Sequence, residues 1–469
     1  MLAVAVIGFL AAALTQPAPA SPELKVLWTV PLKSHSFGGG AVADVNGDGF
    51  ADVAFCTYFG DSRVMVLSGK DGSTIWEYSD GNHCYDASCK FADVTGDGRL
   101  DLVAPNSSGC RVLCFDAATG KVKWDTFLGE GECIDTPPWI GDADGDGSMN
   151  VVVGTFKGRL HVLAGENGRV LRTLQVAPDP ADGRSLNAIQ TCPLVFDLDG
   201  DGVNDYLAGV FSRRKADLGY YAISGRDGTR LWRVELPDSV YHGPALASDG
   251  KDQLLFFGCY DGRLRCVEAR SGLVRWDRPS GDHYIMAPCA IAPAGPDGAL
   301  RVLWTSVRWG ALALDGTPEP APRRWPAAAG HATRGASIAD LTGNGRPDVA
   351  VVTSAGLLAV FDGGRLVCQF DGAALLDEGL RASDGSNGAV LADLDGDGLL
   401  DAFFVVGGGG GTGPDGQAGP RYGLAIAVTG FAGRASHTNG WYMIRHDLQN
   451  TGNTATPLDP FLARHIPLR

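Results

Sequence analysis

The sequence predicts an all-β protein: a single eight-bladed β-propeller with four-stranded antiparallel blades, closed by an N-terminal strand that completes the last blade. Three observations predict it. An acidic, glycine-bearing loop recurs six times, as in "ADVNGDGFADVAFC" and "FDLDGDGVNDYLAG". Each copy is followed by the same succession of short β-rich runs and glycine turns. No stretch sustains a 3.6-residue apolar period, which excludes repeating αβ units.

From the N-terminus, residues 2–14 are apolar but too short to span a bilayer, and they lead into Ala18-Pro19-Ala20, a small-x-small cleavage pattern. Residues 1–20 are therefore expected to be a signal peptide, 21–446 the propeller and 447–469 a C-terminal tail. No later apolar run reaches membrane-helix length. The expected protein is secreted or periplasmic, without a membrane span, and monomeric. Eleven Cys are an odd number, so at least one is unpaired; buried free thiols are the simplest reading. A formal charge of −15 excludes nucleic acid as a partner.

The loops begin at Asp44, Asp93, Asp142, Asp197, Asp340 and Asp393, the first three intervals being 49, 49 and 55 residues. The long gap after Asp197 holds two degenerate units, which makes eight. In each unit a short small-residue run precedes the loop, and an apolar strand such as VAFCTYF follows it. An alternating strand such as RVMVLSG comes next, and a glycine turn then leads to a final strand with Trp (TIWEY, VKWDT, RLWRV, VRWDR). Residues 24–32 (LKVLWTVPL) form an orphan Trp-type strand at the start, whereas the eighth unit lacks one. Pairing them removes two sheet edges at once. Trp28 then joins Trp76, Trp124, Trp232 and Trp276 as packing between blades.

In D-x-[DN]-x-D-G-x-x-D, side chains at positions 1, 3, 5 and 9 can converge on one hard cation, with glycine at 6 permitting the bend. The candidate ligands are Asp44, Asn46, Asp48 and Asp52; Asp93, Thr95, Asp97 and Asp101; Asp142, Asp144, Asp146 and Asn150. The later loops offer Asp197, Asp199, Asp201 and Asp205; Asp340, Thr342, Asn344 and Asp348; and Asp393, Asp395, Asp397 and Asp401. The first two sets are expected to bind well. The third, ending in Asn150, is expected to be weaker, and the fifth weakest. An EF-hand would need a Glu at position 12, but that position holds Phe55, Ala104, Val153, Ala208, Val351 and Phe404. Up to six Ca²⁺ ions, with a structural role, are expected.

These loops resemble the FG-GAP/VCBS calcium-loop repeats of integrin-type propellers. "FDAATGKVKWDT" and "AISGRDGTRLWRV" resemble the quinoprotein (PQQ)-type blade repeat, which also builds non-enzymatic eight-bladed scaffolds such as the bacterial outer-membrane assembly lipoprotein.

With the loops on one face, the D–A and B–C connections surround the channel mouth on the other. His35, His83, His242, His283 and His331 share one register ahead of the innermost strands, with Cys133, Asn187 and Asp384 completing a ring. Nearby B–C loops bring Tyr58, Arg213, Arg214, Tyr260, Arg308 and Trp309, and Gly407–Pro420 would form a mobile B–C loop of blade eight. These residues suit a polar funnel for a glycan or a protein partner. The favoured expectation is a non-catalytic binding or adhesion scaffold. One alternative is a polysaccharide lyase on uronic-acid glycans using His242, Tyr241, His283, Tyr284 and Arg308. Another is a quinone-dependent dehydrogenase, although the chain has no adjacent Cys-Cys pair. The segment "GWYMIRHDLQNTG" is expected to latch the last blade, leaving His437, His446 and His465 solvent-facing or capping.

Overall fold

Eight four-stranded antiparallel sheets make up the ring. The computed structural model describes residues 22–467 apart from 82, 180–185, 294–298, 319–322, 325–329, 384–386, 411–418 and 436–458. The expected signal peptide, Asp384, His437, His446 and the 440–452 segment lie outside the described residues.

Blade one runs outward through strands A to D as Ala41–Ala43, Asp52–Cys56, Val64–Leu67 and Thr74–Tyr78. Strands A and B are buried throughout, because both of their faces meet neighbouring blades. Strand D alternates, with Trp76 inward and Thr74 and Glu77 outward. The A strand of blade one touches those of blades two and eight, and the A strands of blades five and six and of blades seven and eight also touch. Blade eight consists of Val390–Ala392, Asp401–Gly409, Arg421–Thr429 and, as its fourth strand, Lys25–Leu32. Lys25 pairs with Thr429 and Leu32 with Gly423, so the expected closure by the N-terminal strand is present.

The glycine–tryptophan grammar has one physical cause. Each indole N–H donates to a carbonyl in the next blade's C–D turn. Trp28 reaches Gly69 at 2.5 Å, Trp76 reaches Ala117 at 2.7 Å and Trp124 reaches Gly165 at 2.8 Å. Trp232 and Trp276 repeat this at Ala269 and Leu314. The ring face lies on the turn glycine. Gly72, at φ 74°, has no room for a Cβ, which would fall 2.8 Å from Trp28. In blade three Arg172 takes the indole's place, donating to Gly225.

Among the described residues, the fourth strand of blade six is seen at Arg323–Arg324. After blade eight, the chain bonds to two neighbouring loops through Ala432 N to Leu341 O and Leu400 N to Gly433 O. It ends in a short helix, Pro460–Ala463, capped by Asp459. Leu462 and Ile466 are buried in the main core, and His465 O accepts from Asp44 N at 2.6 Å. His465 also closes its own turn, its Nδ1 lying 2.9 Å from Phe461 O. All eleven Cys are free, ten of them buried. Among the described residues, no helix is long and apolar enough to cross a membrane.

Trp28→Ala leaves a cavity across the closing seam and removes a buried hydrogen bond. It should cost about 3–5 kcal/mol in thermal or urea unfolding, with Trp28→Phe costing less.

Candidate functional site

Two faces carry polar chemistry. On the first, the A–B loops share one construction. The position-1 carboxylate gathers backbone amides: Asp44 accepts from Gly47 at 2.7 Å and Gly49 at 2.9 Å, and Asp142, Asp197 and Asp393 repeat the pattern. The ninth residue reaches back with one oxygen to the amide at position 2. Asp52 bonds Val45, Asp205 bonds Leu198, Asp348 bonds Leu341 and Asp401 bonds Leu394. The second oxygen of Asp52, Asp348 and Asp401 is buried without a well-formed hydrogen bond. Burial accordingly pushes Asp52 and Asp401 up to about 7 and Asp348 to about 6. The donor set is hard and oxygen-only, with an unsatisfied carboxylate oxygen at its base, which fits a divalent cation of calcium's preferences.

In three loops, carboxylate oxygens converge within 4.8 Å of one another: Asp142, Asp144 and Asp146; Asp197, Asp199 and Asp205; Asp393, Asp395 and Asp401. The third loop thus gathers its carboxylates without Asn150, whose side chain instead accepts from the Ala143 amide at 2.7 Å. In the fifth loop Asn344 and Arg346 turn to Asp362. The second loop differs from the rest, because the Lys123 ammonium sits among its side chains, 2.5 Å from Asp101 and 2.8 Å from Asp97. The position-12 residues are all fully buried in strand B, so the loops end at their ninth residue and no EF-hand is present.

On the opposite face, some of the expected mouth residues come together. His35 stacks on Tyr58 at 5.1 Å, and Arg421 lies over Tyr58. Tyr241 and Tyr260 lie parallel at 6.2 Å, followed by Tyr284 and then His331. Others do not join them. His83 is exposed and bonds Asp80, His283 is exposed, and Arg213 and Arg214 are exposed, with Arg214 paired to Asp217. Arg308 is bound to Asp282 and Gly281. Trp309 does not face the mouth; it fills the blade-six core against Phe361. Asn187 is fully buried, bonded to Pro178, Asp217 and Ser212. Cys133 lies 4.0 Å from the Cys110 thiol.

The throat itself is lined by Phe37, Gly38, Asp86, Ser88, Asp135, Pro137, Tyr241, His242 and Arg334. Five D–A connectors supply them. Sequence reasoning named only Tyr241 and His242. Asp86, Asp135 and Arg334 lie two or three residues after ring positions 83, 133 and 331, where each connector turns inward. Arg334 Nη1 is 3.1 Å from His242 Nε2 and its guanidinium lies 4.9 Å over Phe37. Since guanidinium only donates, His242 Nε2 is the acceptor and the imidazole is neutral. Asp135 accepts from Ser107 and, at 3.1 Å, from Gln190. Asp86 Oδ1 and Arg334 Nε are both buried without a hydrogen bond. Burial, then the Asp135 charge, pushes Asp86 up to about 7, with Arg334 opposing. The cavity is about 10 Å³, room for about one water.

Residues 44–104 match the FG-GAP-like repeat. Polyvinylalcohol dehydrogenase of a Pseudomonas species is 24% identical over 229 residues, 46% of this chain, and the chain spans 30% of that relative's length. A europium-containing methanol dehydrogenase superposes with TM-score 0.57 at 12% identity, covering 87% of this chain and 93% of that one. BamB from Moraxella catarrhalis superposes with TM-score 0.52 at 15% identity, covering 88% and 100%. At these identities the structures share the propeller fold, which both enzymes and BamB use, beside the FG-GAP-like loops.

Asp86 is protonated in the folded protein and ionised in the unfolded chain between about 3.9 and 7. The native state then binds more protons, so Asp86's contribution to stability is full below that window and lost as pH rises through it. Asp86→Asn, which mimics the neutral acid, should shrink the fall in Tm between pH 5 and pH 8.

Proposed function

We propose that this protein is a secreted, calcium-stabilised propeller that serves as a non-catalytic binding scaffold, with the FG-GAP-like loops holding structural ions and the channel mouth holding a glycan. The observation that carries the calcium half is the set of buried carboxylate oxygens without well-formed hydrogen bonds at Asp52, Asp348 and Asp401. An isolated buried carboxylate is unfavourable unless neutralised, and a bound cation removes that cost. The six loops hold nineteen carboxylates, and ions in the five loops without a lysine among their ligands would bring the formal charge from −15 to about −5. At about 1 mM calcium and extracellular-range affinity, each site would add up to about 1.4 kcal/mol.

The binding half rests on Asp86 Oδ1 and Arg334 Nε, an acceptor and a donor without a hydrogen bond at one throat, which is also lined by Tyr241, whose ring lies parallel to that of Tyr260. A sugar hydroxyl both donates and accepts, and sugar rings stack on aromatic faces. Non-catalytic binding is supported by the fate of the lyase candidates. His242 Nε2 is already engaged by Arg334, Arg308 is held by Asp282, and His283 is exposed. A secreted location is supported by residues 1–20 and by the calcium supply outside the cell.

Stripping the protein with EDTA should lower Tm by several degrees, and restoring CaCl₂ should recover it; an unchanged melting curve would sink the calcium half. Screening labelled protein on a glycan array should give hits that Tyr260→Ala and Arg334→Met weaken at least tenfold while Tm is retained. An empty array, or variants that bind like the parent, would sink the binding half.

A further inference from the structure

In seven blades the pairing of strands C and D slips by one residue at the same place. The residue in that bulge precedes the tryptophan position of strand D. It is Leu27, Ile75, Leu171, Leu231 or Val367 in five blades, all of which carry an acidic loop. In blades two and five it is basic: Lys123 and Arg275. A bulge redirects a side chain out of the strand's alternation. Both basic residues reach the A–B connection of their own blade. Arg275 lies 2.5 Å from Asp252, where blade five has only a short turn in place of the acidic loop. Lys123 Nζ lies 2.5 Å from Asp101 Oδ1, 2.8 Å from Asp97 Oδ2 and 3.0 Å from Thr95 Oγ1. An ammonium has three donors. Here two donate to Thr95 and Asp97 and the ammonium is ion-paired with Asp101, three of the four side chains expected to bind an ion.

We propose that the bulge residue decides what neutralises each acidic loop. In blade two the Lys123 ammonium takes the ion's place, so this loop binds no divalent cation, whereas the apolar bulge residues put no ammonium among the ligands of the other five; in the fourth loop Arg226, from the C–D turn, pairs with Asp201 and leaves Asp197, Asp199 and Asp205 converged. A divalent ion entering the second loop would have to displace the lysine against its own charge. With an apolar side chain at 123, Asp93, Thr95, Asp97 and Asp101 regain the oxygen set of a calcium loop. The same rule explains blade five, which keeps a basic bulge residue and needs no ion.

This inference rests on the calcium reading of the other loops, and one experiment separates the two. EDTA-stripped protein is titrated with CaCl₂ by calorimetry, as wild type, Lys123→Leu and Leu231→Lys, each checked for folding by circular dichroism. Lys123→Leu should bind one more ion than wild type, and Leu231→Lys one fewer. Equal stoichiometry in folded variants would overturn the inference while leaving the calcium reading standing. No binding by any of the three would overturn both. Should a variant fail to fold, a wild-type crystal soaked in TbCl₃ decides: an anomalous peak between Asp93 and Asp101 overturns the inference, and peaks only at other loops support it.

Discussion

The ring depends on a contact that crosses five of its eight seams: an indole laid on a turn glycine, with its N–H bonded to that turn's backbone. A blade alone has two open edges and two apolar faces. Stacking blades buries the faces, and the indole sets the spacing between them, since the glycine permits close approach and the carbonyl fixes the angle. The contact is directional, so it propagates around the ring. Trp28, carried on the first strand, applies it to the last seam as well.

This contact also explains why the fold was legible. Glycine turns, D-strand tryptophans and acidic loops are local signals repeated in register, and repetition makes even a degenerate copy recognisable. The orphan strand at 24–32 could be assigned to blade eight because an unpaired edge is physically costly. The throat was not legible in the same way. Asp86, Asp135 and Arg334 come from connectors of blades two, three and seven and meet only because the ring closes. Their positions drift by a residue from unit to unit, so the histidine register pointed to the right connectors but the wrong side chains. Trp309 was misplaced because a degenerate blade recruits it to fill its own core. Lys123 escaped notice because its direction is set by a bulge, which a strict two-residue alternation hides.

The two polar faces obey different rules. At the A–B loops, charge is local: the first and ninth carboxylates are tied largely to amides of their own hairpin, and Asp97, Asp101 and Asp201 pair with basic side chains of their own blade. At the throat, charge is shared. Asp86, Asp135, Arg334 and His242 belong to different blades, and the state of each depends on the others. The first arrangement suits rigidity and the second suits recognition, because only the second leaves both a donor, Arg334 Nε, and an acceptor, Asp86 Oδ1, without a hydrogen bond in one pocket.

The seam between Lys25 and Thr429 has a kinetic corollary. The two partners lie at opposite ends of the chain, so a ribosome must release nearly the entire polypeptide before the toroid can shut. Until then the first strand has no mate, and the nascent molecule stays open along one flank. Such long-range pairing slows folding.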